Sequence, residues 1–328
     1  MTQSGGMLPI AIDAMGGDRA PSEIVAGAHL AFEAGIPVVL VGPAGLEGCG
    51  DIPLIEASEV IAMDEDPAAG VRRKKDSTLV RAAEAVRDGR ASAMISAGNT
   101  GATMASALFR MGRIKGVSRP AIVTTVPVPG STPTVLLDSG ANAEVQAEWL
   151  VQFAQMGSVF SARRFGIVSP RVGLLSIGEE PHKGDSLRKE AYDLLATATG
   201  INFIGNVEGR DLMTTEVDVV VTDGFTGNVV LKTLEGALRT IVKAMLDAFA
   251  SKPEYKQATD TLLPALIPLY TSIDPEAYGG ALLLGVDGVC IISHGSSSAK
   301  AIFNAVNVAK EMVEADLVGS LRSAVAPA

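Results

Sequence analysis

The chain has 328 residues, of which 47% are hydrophobic and 20% are charged, and its formal net charge at pH 7 is −10. This composition excludes a disordered polypeptide, because it supplies enough apolar side chains for a large core. The negative charge argues against generic binding to nucleic acid, which requires a basic surface, so an acidic partner would have to dock on a local basic patch.

Short apolar runs alternate with longer amphipathic segments in chain order, which is typical of strands followed by helices. The first strand is predicted at residues 10–12, and a helix then begins at Pro21 and ends at Gly35. Further strands are predicted at residues 38–41, 93–95, 121–126, 134–137, 172–177, 217–221 and 288–292. Further helices are predicted at residues 77–89, 143–160, 186–198, 229–250 and 299–317. The scarcity of aromatic residues predicts an α/β protein with buried parallel strands, and the helix-free connection between residues 119 and 137 predicts a mixed sheet.

Residues 251–278 depart from this alternation. Pro264 and Pro268 stand four positions apart, and a proline disrupts a regular helix, so the sequence predicts that no single long helix forms here. Two roles fit the crowded apolar side chains of this segment equally well, namely contact with a membrane surface and packing in a dimer. The side chains assigned to membrane contact are Leu262, Leu263, Leu266 and Ile267.

Five loops repeat one pattern, in which a strand ends at a polar residue, a glycine follows and a helix begins. They lie at residues 12–18, 95–101, 137–142, 222–228 and 293–298. Glycine lets backbone N–H groups point outward, and the start of a helix adds a partial positive charge. One such loop is ordinary turn chemistry, but several at the carboxyl ends of one sheet predict a crevice for phosphate or another oxyanion. The GxGxxG and GxxxxGKS/T motifs of nucleotide-binding proteins are absent from the sequence.

The sequence also excludes several other classes of protein. Cys49 and Cys290 cannot form a disulfide framework, and no Cys/His spacing typical of a metal site is present. The amino-terminal residues lack the basic and apolar regions of a signal peptide, and no uncharged run reads as a transmembrane helix. We therefore expect a cytoplasmic protein, and we interpret Cys290 and His29 as structural residues.

Eight motifs follow one another along nearly the whole chain: IAIDAMGGDRAP at residues 10–21, VRRKKDS at 71–77, ISAGNTGA at 95–102, LLDSGAN at 136–142, LLSIGEEPHKG at 174–184, FIGNVEGRD at 203–211, VVTDGFTGNVVLKTLEG at 220–236 and IISHGSS at 291–297. Together and in this order they resemble the phosphate acyltransferase (PlsX) family. The resemblance implies an enzyme that moves a long-chain fatty acyl group from acyl carrier protein to inorganic phosphate. The product would be an acyl phosphate for the synthesis of phosphatidic acid and phospholipids.

The same resemblance implies the fold, the assembly and the location of the protein. The fold would be a three-layer α/β/α arrangement with a mixed sheet, similar to isocitrate and isopropylmalate dehydrogenases, and the assembly would be a homodimer. Residues 1–328 would form one domain of two intertwined subdomains, divided near residues 120–140 and 280–290. The family implies no nucleotide or metal cofactor and a peripheral position at the inner face of the membrane. There a membrane glycerol-3-phosphate acyltransferase would receive the product.

The family's HKG and GFTGN motifs correspond to Lys183 and Asn228, so the resemblance implies that these residues lie at the reacting centre. Lys183 would orient phosphate or neutralise developing charge, and Asn228 would donate to the oxyanion of the intermediate. By residue type alone, Lys183 is equally well explained as an exposed lysine in a charged loop. His294 has two open interpretations, a proton donor to the leaving thiolate or a loop histidine bonded to backbone. The residues assigned to the phosphate are Asn99, Thr100, Gly101, Gly295 and Ser296.

The densest basic cluster contains Arg72, Arg73, Lys74 and Lys75. It is predicted to receive the acidic acyl carrier protein or its pantetheine phosphate, and the alternative is a solvated run of charge. Three other functions remain open from the sequence. They are a phosphotransacetylase-like enzyme acting on a short acyl-CoA, a dehydrogenase of the related fold, and a non-enzymatic regulator that binds acyl carrier protein or lipid.

Overall fold

The computed structural model describes residues 7–325, apart from the side chains of residues 275 and 276. Its strands are β1 (Ile10–Asp13), β2 (Val38–Gly42), β3 (Leu54–Glu56), β4 (Ala93–Ser96), β5 (Ala121–Val126), β6 (Thr134–Leu137), β7 (Arg171–Leu175), β8 (Asn202–Val207), β9 (Val219–Val221), β10 (Ala281–Leu284) and β11 (Val289–Ile292). Its α-helices are α1 (Ser22–Glu33), α2 (Pro67–Arg73), α3 (Thr78–Arg87), α4 (Thr100–Arg110), α5 (Ala147–Phe165), α6 (Ser186–Thr197), α7 (Gly224–Ala250), α8 (Lys256–Ile273), α9 (Ala299–Glu314) and α10 (Leu317–Ala324).

The strands join in one sheet in the order β3-β2-β1-β4-β11-β10-β5-β6-β9-β7-β8. Strand β10 is antiparallel to both of its neighbours, β5 is antiparallel to β6, and the other neighbouring strands are parallel. The mixed sheet predicted from the sequence is therefore confirmed. The strands from β3 to β11 run opposite to those from β6 to β8, so the sheet consists of two parallel halves joined through β10 and β5.

The carboxyl ends of the two halves meet at one level in the middle of the sheet. Ile292, the last residue of β11, pairs with Ala281 of β10, and the next residue of β10 pairs with Val123 of β5. Val123 in turn pairs with Leu137, the last residue of β6. The loops after β4, β11, β6 and β9 are therefore brought towards the centre of the sheet. They approach it from two opposite directions, whereas the sequence predicted a single edge.

Helices cover both faces of the sheet. Ile12 and Ile95 pack on one face in a core with α1, α5 and α9, and Ala11 and Met94 pack on the other face with α3 and α4. This division follows from the alternation of side chains along a strand. Over β6, β7 and β9 the second face is covered by the start of α7, where Leu234 packs against the sheet. Burial on both faces explains why the strands read as nearly continuous apolar runs.

Side-chain caps fix where the helices nearest the centre of the sheet begin. The side chains of Ser77, Asn99, Asp223 and Ser298 each accept a hydrogen bond from a backbone N–H in the first turn of α3, α4, α7 and α9. Each cap satisfies an N–H group that a helix otherwise leaves unpaired. The loops that precede these helices are thereby held in defined positions.

The prediction that Pro264 and Pro268 prevent a long helix is wrong, because α8 runs from Lys256 to Ile273 with both prolines inside it. Each proline removes one backbone hydrogen bond, to the carbonyl four residues earlier. Residues four apart lie on one side of a helix, and both prolines are exposed, so water can hydrate the carbonyls they leave unpaired. None of the described helices is long and apolar enough to cross a membrane.

Candidate functional site

A cavity of about 950 Å³ lies over the centre of the sheet, where the two halves meet. Ile122 and Thr124 of β5 belong to its floor, α7 forms one wall, and the loop after β11 forms another. Tyr270 and Ile273 of α8 also line it. Ligand pockets usually measure about 300–1,000 Å³, so this cavity has room for a substrate with more than one part.

A buried carboxylate shapes the loop after β6. Asp138 accepts hydrogen bonds at 2.8–3.1 Å from the backbone N–H groups of Ile122, Gly140, Ala141 and Asn142, and from the Asn142 side chain at 2.8 Å. Burial raises the pKa of Asp138, and these hydrogen bonds oppose that rise. Every one of these partners is a donor, so the ionised carboxylate is the form that fits. Asp138 therefore holds the LLDSGAN motif in shape and has no donor or acceptor left for a reaction.

Asn228 enters the cavity from the first turns of α7. Asp223 caps this helix, and a Cβ atom on Gly227 would overlap the backbone carbonyl of Asp138. Only glycine fits there, so the GFTGN motif brings α7 directly against the loop after β6. Asn228 then lies beside Gly140, 3.8 Å from the position that a Cβ atom would occupy there. Its side chain is exposed and offers an amide N–H₂ group as a donor.

Lys183 is not among the residues that line the cavity. It lies in the turn between β7 and α6. Arg188, in the first turn of α6, donates hydrogen bonds to Asp223 and Thr226 at the start of α7. These contacts tie the turn that carries Lys183 to the helix that carries Asn228. The two residues assigned to the reacting centre are thus on linked elements, and Asn228 is the one that lines the cavity.

The contact between Arg188 and Asp223 is a buried ion pair, with side chains that are 12% and 8% exposed. Burial raises the pKa of Asp223, but hydrogen bonds from Thr226 and the charge of Arg188 outweigh it and lower the pKa below its usual value. Removing one partner of such a pair leaves a buried charge unpaired, which costs about 3–5 kcal/mol. The pair therefore fixes the geometry between α6 and α7.

His294 lines the cavity from the loop after β11. Its Nδ1 accepts a hydrogen bond from the backbone N–H of Ser296 at 3.2 Å and lies 2.8 Å from the Ser296 hydroxyl. Because Nδ1 is used as an acceptor, the neutral ring carries its proton on Nε2. The ring is therefore bonded to backbone, as one of the two interpretations proposed, and it still presents Nε2–H as a donor.

Of the five residues assigned to the phosphate, Thr100 and Ser296 line the cavity and the other three do not. The amide oxygen of Asn99 caps α4, and its nitrogen donates to two backbone carbonyls before α2 at 3.0 and 3.1 Å. Gly101 packs against the start of α2, and the carbonyl of Gly295 accepts a hydrogen bond from the loop after β1. Helices α4 and α9 nevertheless contribute their first turns to the cavity, so the partial positive charge of two helix N-termini reaches it.

The basic cluster lies outside the cavity, around the end of α2. Lys74 forms an ion pair with Glu65 at 2.6 Å, so its charge already has a partner within the chain. Arg72, Arg73 and Lys75 are exposed. The surface that this cluster offers to another molecule therefore consists mainly of three cations.

Two different apolar surfaces belong to α7 and α8. Leu262, Leu263 and Ile267 of α8 are 56%, 38% and 55% exposed, Leu266 is half-buried, and none of the four lines the cavity. The apolar side chains of α7 that do line the cavity are Leu231, Leu238, Val242 and Leu246. The residues assigned to membrane contact are thus separate from those that face the cavity.

Sequence reasoning missed the residues that the sheet and the far part of α7 contribute. Thr124 of β5, Ser139 after β6 and Arg239 of α7 all line the cavity. Ser139 belongs to the LLDSGAN motif, which was the available signal for it. A threonine inside a strand and an arginine on an amphipathic helix are ordinary residues, and no local pattern marks them.

The structural interpretation of Cys290 and His29 agrees with their surroundings. Cys290 is buried in β11, and burial raises the pKa of its thiol to about 12, so it does not form the reactive thiolate at neutral pH. The Nε2 atom of His29 lies 2.6 Å from the backbone carbonyl of Gly48. Among the side chains that the structure describes, no group of three or more His, Cys, Asp or Glu residues is placed to hold a metal ion.

Comparison with known proteins identifies relatives along nearly the whole chain. The profile of a family described as "Fatty acid synthesis protein" matches residues 8–319. The chain is 50% identical over 327 residues to a phosphate acyltransferase of Pelotomaculum thermopropionicum, with 97% of this chain and 95% of that protein covered. It is 46% identical over 325 residues to a phosphate acyltransferase of a Geobacillus species, with 97% and 98% covered.

Solved structures with a similar fold include two enzymes that are named for acyl transfer. A phosphotransacetylase from Streptococcus pyogenes has a TM-score of 0.62 at 18% identity, with 95% of both chains covered. A branched-chain phosphotransacylase from Enterococcus faecalis has a TM-score of 0.61 at 16% identity, with 94% of this chain and 99% of that chain covered. At such low identity the likeness concerns the fold alone.

These comparisons distinguish between the functions that the sequence left open. Relatives that are 46–50% identical over nearly the whole chain share one name, whereas the phosphotransacetylases share only the fold. The chain therefore belongs to the phosphate acyltransferase (PlsX) family and is an acyltransferase.

Proposed function

We propose that this protein transfers a long-chain fatty acyl group from acyl carrier protein to inorganic phosphate. The observation that carries the proposal is one cavity that combines the two environments such substrates need. Asn228, His294 and the first turns of α4 and α9 give it hydrogen-bond donors, and Leu238 and Val242 of α7 give it an apolar wall. Donors suit a phosphate and a thioester carbonyl, and the apolar wall suits an acyl chain. The product, an acyl phosphate, would supply the synthesis of phosphatidic acid.

In the proposed reaction, a phosphate oxygen attacks the thioester carbon and the carbonyl becomes an oxyanion. The intermediate then collapses, the C–S bond breaks, and the carrier leaves as a thiolate that takes a proton from solvent. Phosphate is already anionic near neutral pH, so holding the two reactants together contributes more than a strong base. Asn228 donates to the oxyanion. His294 donates through Nε2–H, because its Nδ1 accepts the hydrogen bond from the Ser296 N–H.

We assign phosphate binding to Thr100 and Ser296 together with the N-termini of α4 and α9, while Asn99, Gly101 and Gly295 shape the loops that present them. Lys183 is assigned a charge-neutralising role towards the same phosphate. Two features support this role: a lysine has a long flexible stem, and Arg188 ties the turn of Lys183 to α7.

We assign docking of acyl carrier protein to Arg72, Arg73 and Lys75. Salt screens attraction between exposed charges, so the KM for palmitoyl-ACP is expected to rise severalfold from about 50 mM to about 300 mM NaCl. Combining Arg73→Ala with Lys75→Ala should raise this KM about three- to tenfold at low salt, with kcat unchanged. Steady-state kinetics measure both effects, and Lys189→Ala on the exposed side of α6 is the control. A KM that responds neither to salt nor to the double substitution would rule out this docking surface.

We assign the exposed apolar side chains of α8 to peripheral contact with the inner face of the cell membrane. A buried apolar side chain contributes roughly 1.5–3 kcal/mol, so Leu263→Glu with Ile267→Glu should weaken binding to phospholipid vesicles more than tenfold. Vesicle sedimentation measures this loss, and Leu30→Glu, at an exposed position of α1, is the control. The dimer should persist in size-exclusion chromatography. Unchanged sedimentation, or loss of the dimer, would indicate that these side chains pack in the dimer interface and do not contact the membrane.

The remaining parts of the proposal concern assembly and location. We propose a cytoplasmic homodimer that associates peripherally with the membrane and passes acyl phosphate to a membrane glycerol-3-phosphate acyltransferase. Nucleotides, metals and nucleic acids have no assigned role. The two halves of the sheet are proposed as the two intertwined subdomains of a fold similar to isocitrate and isopropylmalate dehydrogenases. Their boundaries near residues 120–140 and 280–290 contain β5, β6 and β10.

The acyl donor distinguishes this function from its alternatives. Purified protein is incubated with phosphate and either palmitoyl-ACP or acetyl-CoA, and any acyl phosphate is trapped with hydroxylamine. We expect palmitoyl phosphate from palmitoyl-ACP and little product from acetyl-CoA. Acetyl phosphate as the main product would favour a phosphotransacetylase. Binding of palmitoyl-ACP without release of free carrier upon addition of phosphate would favour a regulatory protein.

A further inference from the structure

Thr124 carries a buried hydroxyl that has no hydrogen-bond partner among the described residues. Such a group destabilises the folded state, because it gives up its hydrogen bonds to water and gains none in return. Native proteins contain few of them. An unpaired hydroxyl that persists at a cavity therefore calls for an explanation in terms of what the cavity binds.

The position of Thr124 on β5 directs its side chain to the cavity. Ile122 packs in the core with α3 and α4, whereas Val123 packs in the core on the opposite face. Side chains alternate along a strand, so Thr124 points to the same face as Ile122, and both line the cavity. Its paired neighbour on β6 is Leu136, whose apolar side chain offers the hydroxyl no hydrogen bond.

We propose that the Thr124 hydroxyl donates a hydrogen bond to an anionic oxygen of the substrate in this cavity. That oxygen belongs either to inorganic phosphate or to the oxyanion that forms at the acyl carbonyl. The inference rests on the transfer to phosphate proposed above, and the two oxygens share the same chemistry towards an O–H donor. A hydroxyl without a partner in the protein donates without first breaking another bond. Donors arranged in this way before the reaction stabilise developing charge.

Other buried hydroxyls without a partner provide a comparison. Ser293 lines the same cavity from the end of β11, so the same test applies to Ser293→Ala. Ser161 is also buried and unpaired, but it lies on α5, against the opposite face of the sheet, and does not line the cavity. Ser161→Ala therefore removes a hydroxyl of the same kind at a position that substrate does not reach.

Removing the Thr124 hydroxyl is expected to move stability and activity in opposite directions. Valine has nearly the shape of threonine without the hydroxyl, so Thr124→Val should raise Tm by about 2 °C. The same substitution should lower kcat/KM about 10- to 100-fold, which is the effect of losing one hydrogen bond to a charged group. Thr124→Ser keeps the hydroxyl and should remain within about threefold of the unmodified protein. Ser161→Ala should leave kcat/KM unchanged.

Two measurements on these variants distinguish a contact with phosphate from a contact with the oxyanion. The first is the Tm of each protein with and without inorganic phosphate, which requires no reaction. The second is kcat and the KM for phosphate with palmitoyl-ACP as donor. Contact with phosphate predicts that phosphate raises the Tm of the unmodified protein more than that of Thr124→Val, and that the KM for phosphate increases. Contact with the oxyanion predicts equal stabilisation by phosphate and a lower kcat.

Two results would overturn the inference while the proposed function stands. One is a Thr124→Val variant whose kcat and KM stay within twofold of the unmodified protein. The other is a fall in both Tm and activity for Thr124→Val and Thr124→Ser alike, which would indicate a packing role. If the unmodified protein makes no acyl phosphate, the proposed function fails instead. The inference then depends on the Tm measurement alone, and it is overturned unless phosphate stabilises the unmodified protein more than Thr124→Val.

Discussion

Replacing Asn228 with alanine is expected to lower the kcat of acyl phosphate formation about 10²–10³-fold, the usual effect of removing one donor from an oxyanion site. Asn228 lines the cavity from the first turns of α7, and its side chain is exposed, so the fold does not depend on its packing. Asn228→Asp is the sharper variant. It keeps the shape of the side chain, replaces the amide donor by a carboxylate, and is expected to be at least as impaired as Asn228→Ala.

The measurement is kcat at saturating palmitoyl-ACP and phosphate, together with the Tm of each variant. The Tm is expected to change little, and Val229→Ala, at the next exposed position of α7, is expected to retain near-normal turnover. A kcat above about one tenth of normal in Asn228→Asp would show that no donor is needed at this position. Asn228 would then be a residue of the cavity wall without a role in the reaction.

Replacing Lys183 with alanine is expected to reduce kcat/KM for phosphate about 100-fold, because a hydrogen bond to a charged group contributes roughly 1.5–3 kcal/mol. The loss should exceed any effect on stability, since Lys183 lies outside the hydrophobic core, half-buried in the turn before α6. Kinetics at varied phosphate measure the change, and Lys189→Ala on the neighbouring helix is the matched control.

The experiment on Lys183 tests its role in the mechanism directly, because this residue does not line the cavity. Near-normal kinetics in Lys183→Ala would remove Lys183 from the mechanism and leave the phosphate to groups that do line it, such as Arg239 and the N-termini of α4 and α9. A large loss would mean that the turn between β7 and α6 approaches bound phosphate. The buried ion pair between Arg188 and Asp223 holds that turn in a fixed position relative to α7.

The strands and the loops at their ends could be predicted from local sequence because they are buried on both faces. The predicted strands at residues 10–12, 93–95 and 134–137 fall within β1, β4 and β6. Helix α4 was predicted only as a helix that begins after the loop at residues 95–101, and the sequence analysis gave it no end. Helix α8 was misjudged because the rule against proline assumes that the lost hydrogen bonds are not replaced, whereas water reaches the exposed face of this helix.

The site was only partly predictable, because its composition depends on the pairing of distant strands. The loops that contain Asn228 and His294 carry recognisable motifs, and both residues do line the cavity. Lys74 looked like one of four equivalent cations, and its ion pair with Glu65 depends on how α2 packs. Thr124 became notable only when the sheet placed its side chain at the cavity and left its buried hydroxyl without a partner. No pattern in the sequence distinguishes that threonine from Thr125.

The central claim is that this cavity transfers an acyl group from acyl carrier protein to phosphate. Incubating the protein with palmitoyl-ACP and ³²P-labelled phosphate tests it most directly, with detection of labelled lipid and of released carrier thiol. We expect labelled palmitoyl phosphate and free thiol in equal amounts from the unmodified protein, and a loss of both in Asn228→Ala at unchanged Tm. Release of thiol without labelled lipid, or equal labelling by Asn228→Ala, would contradict this account of the site.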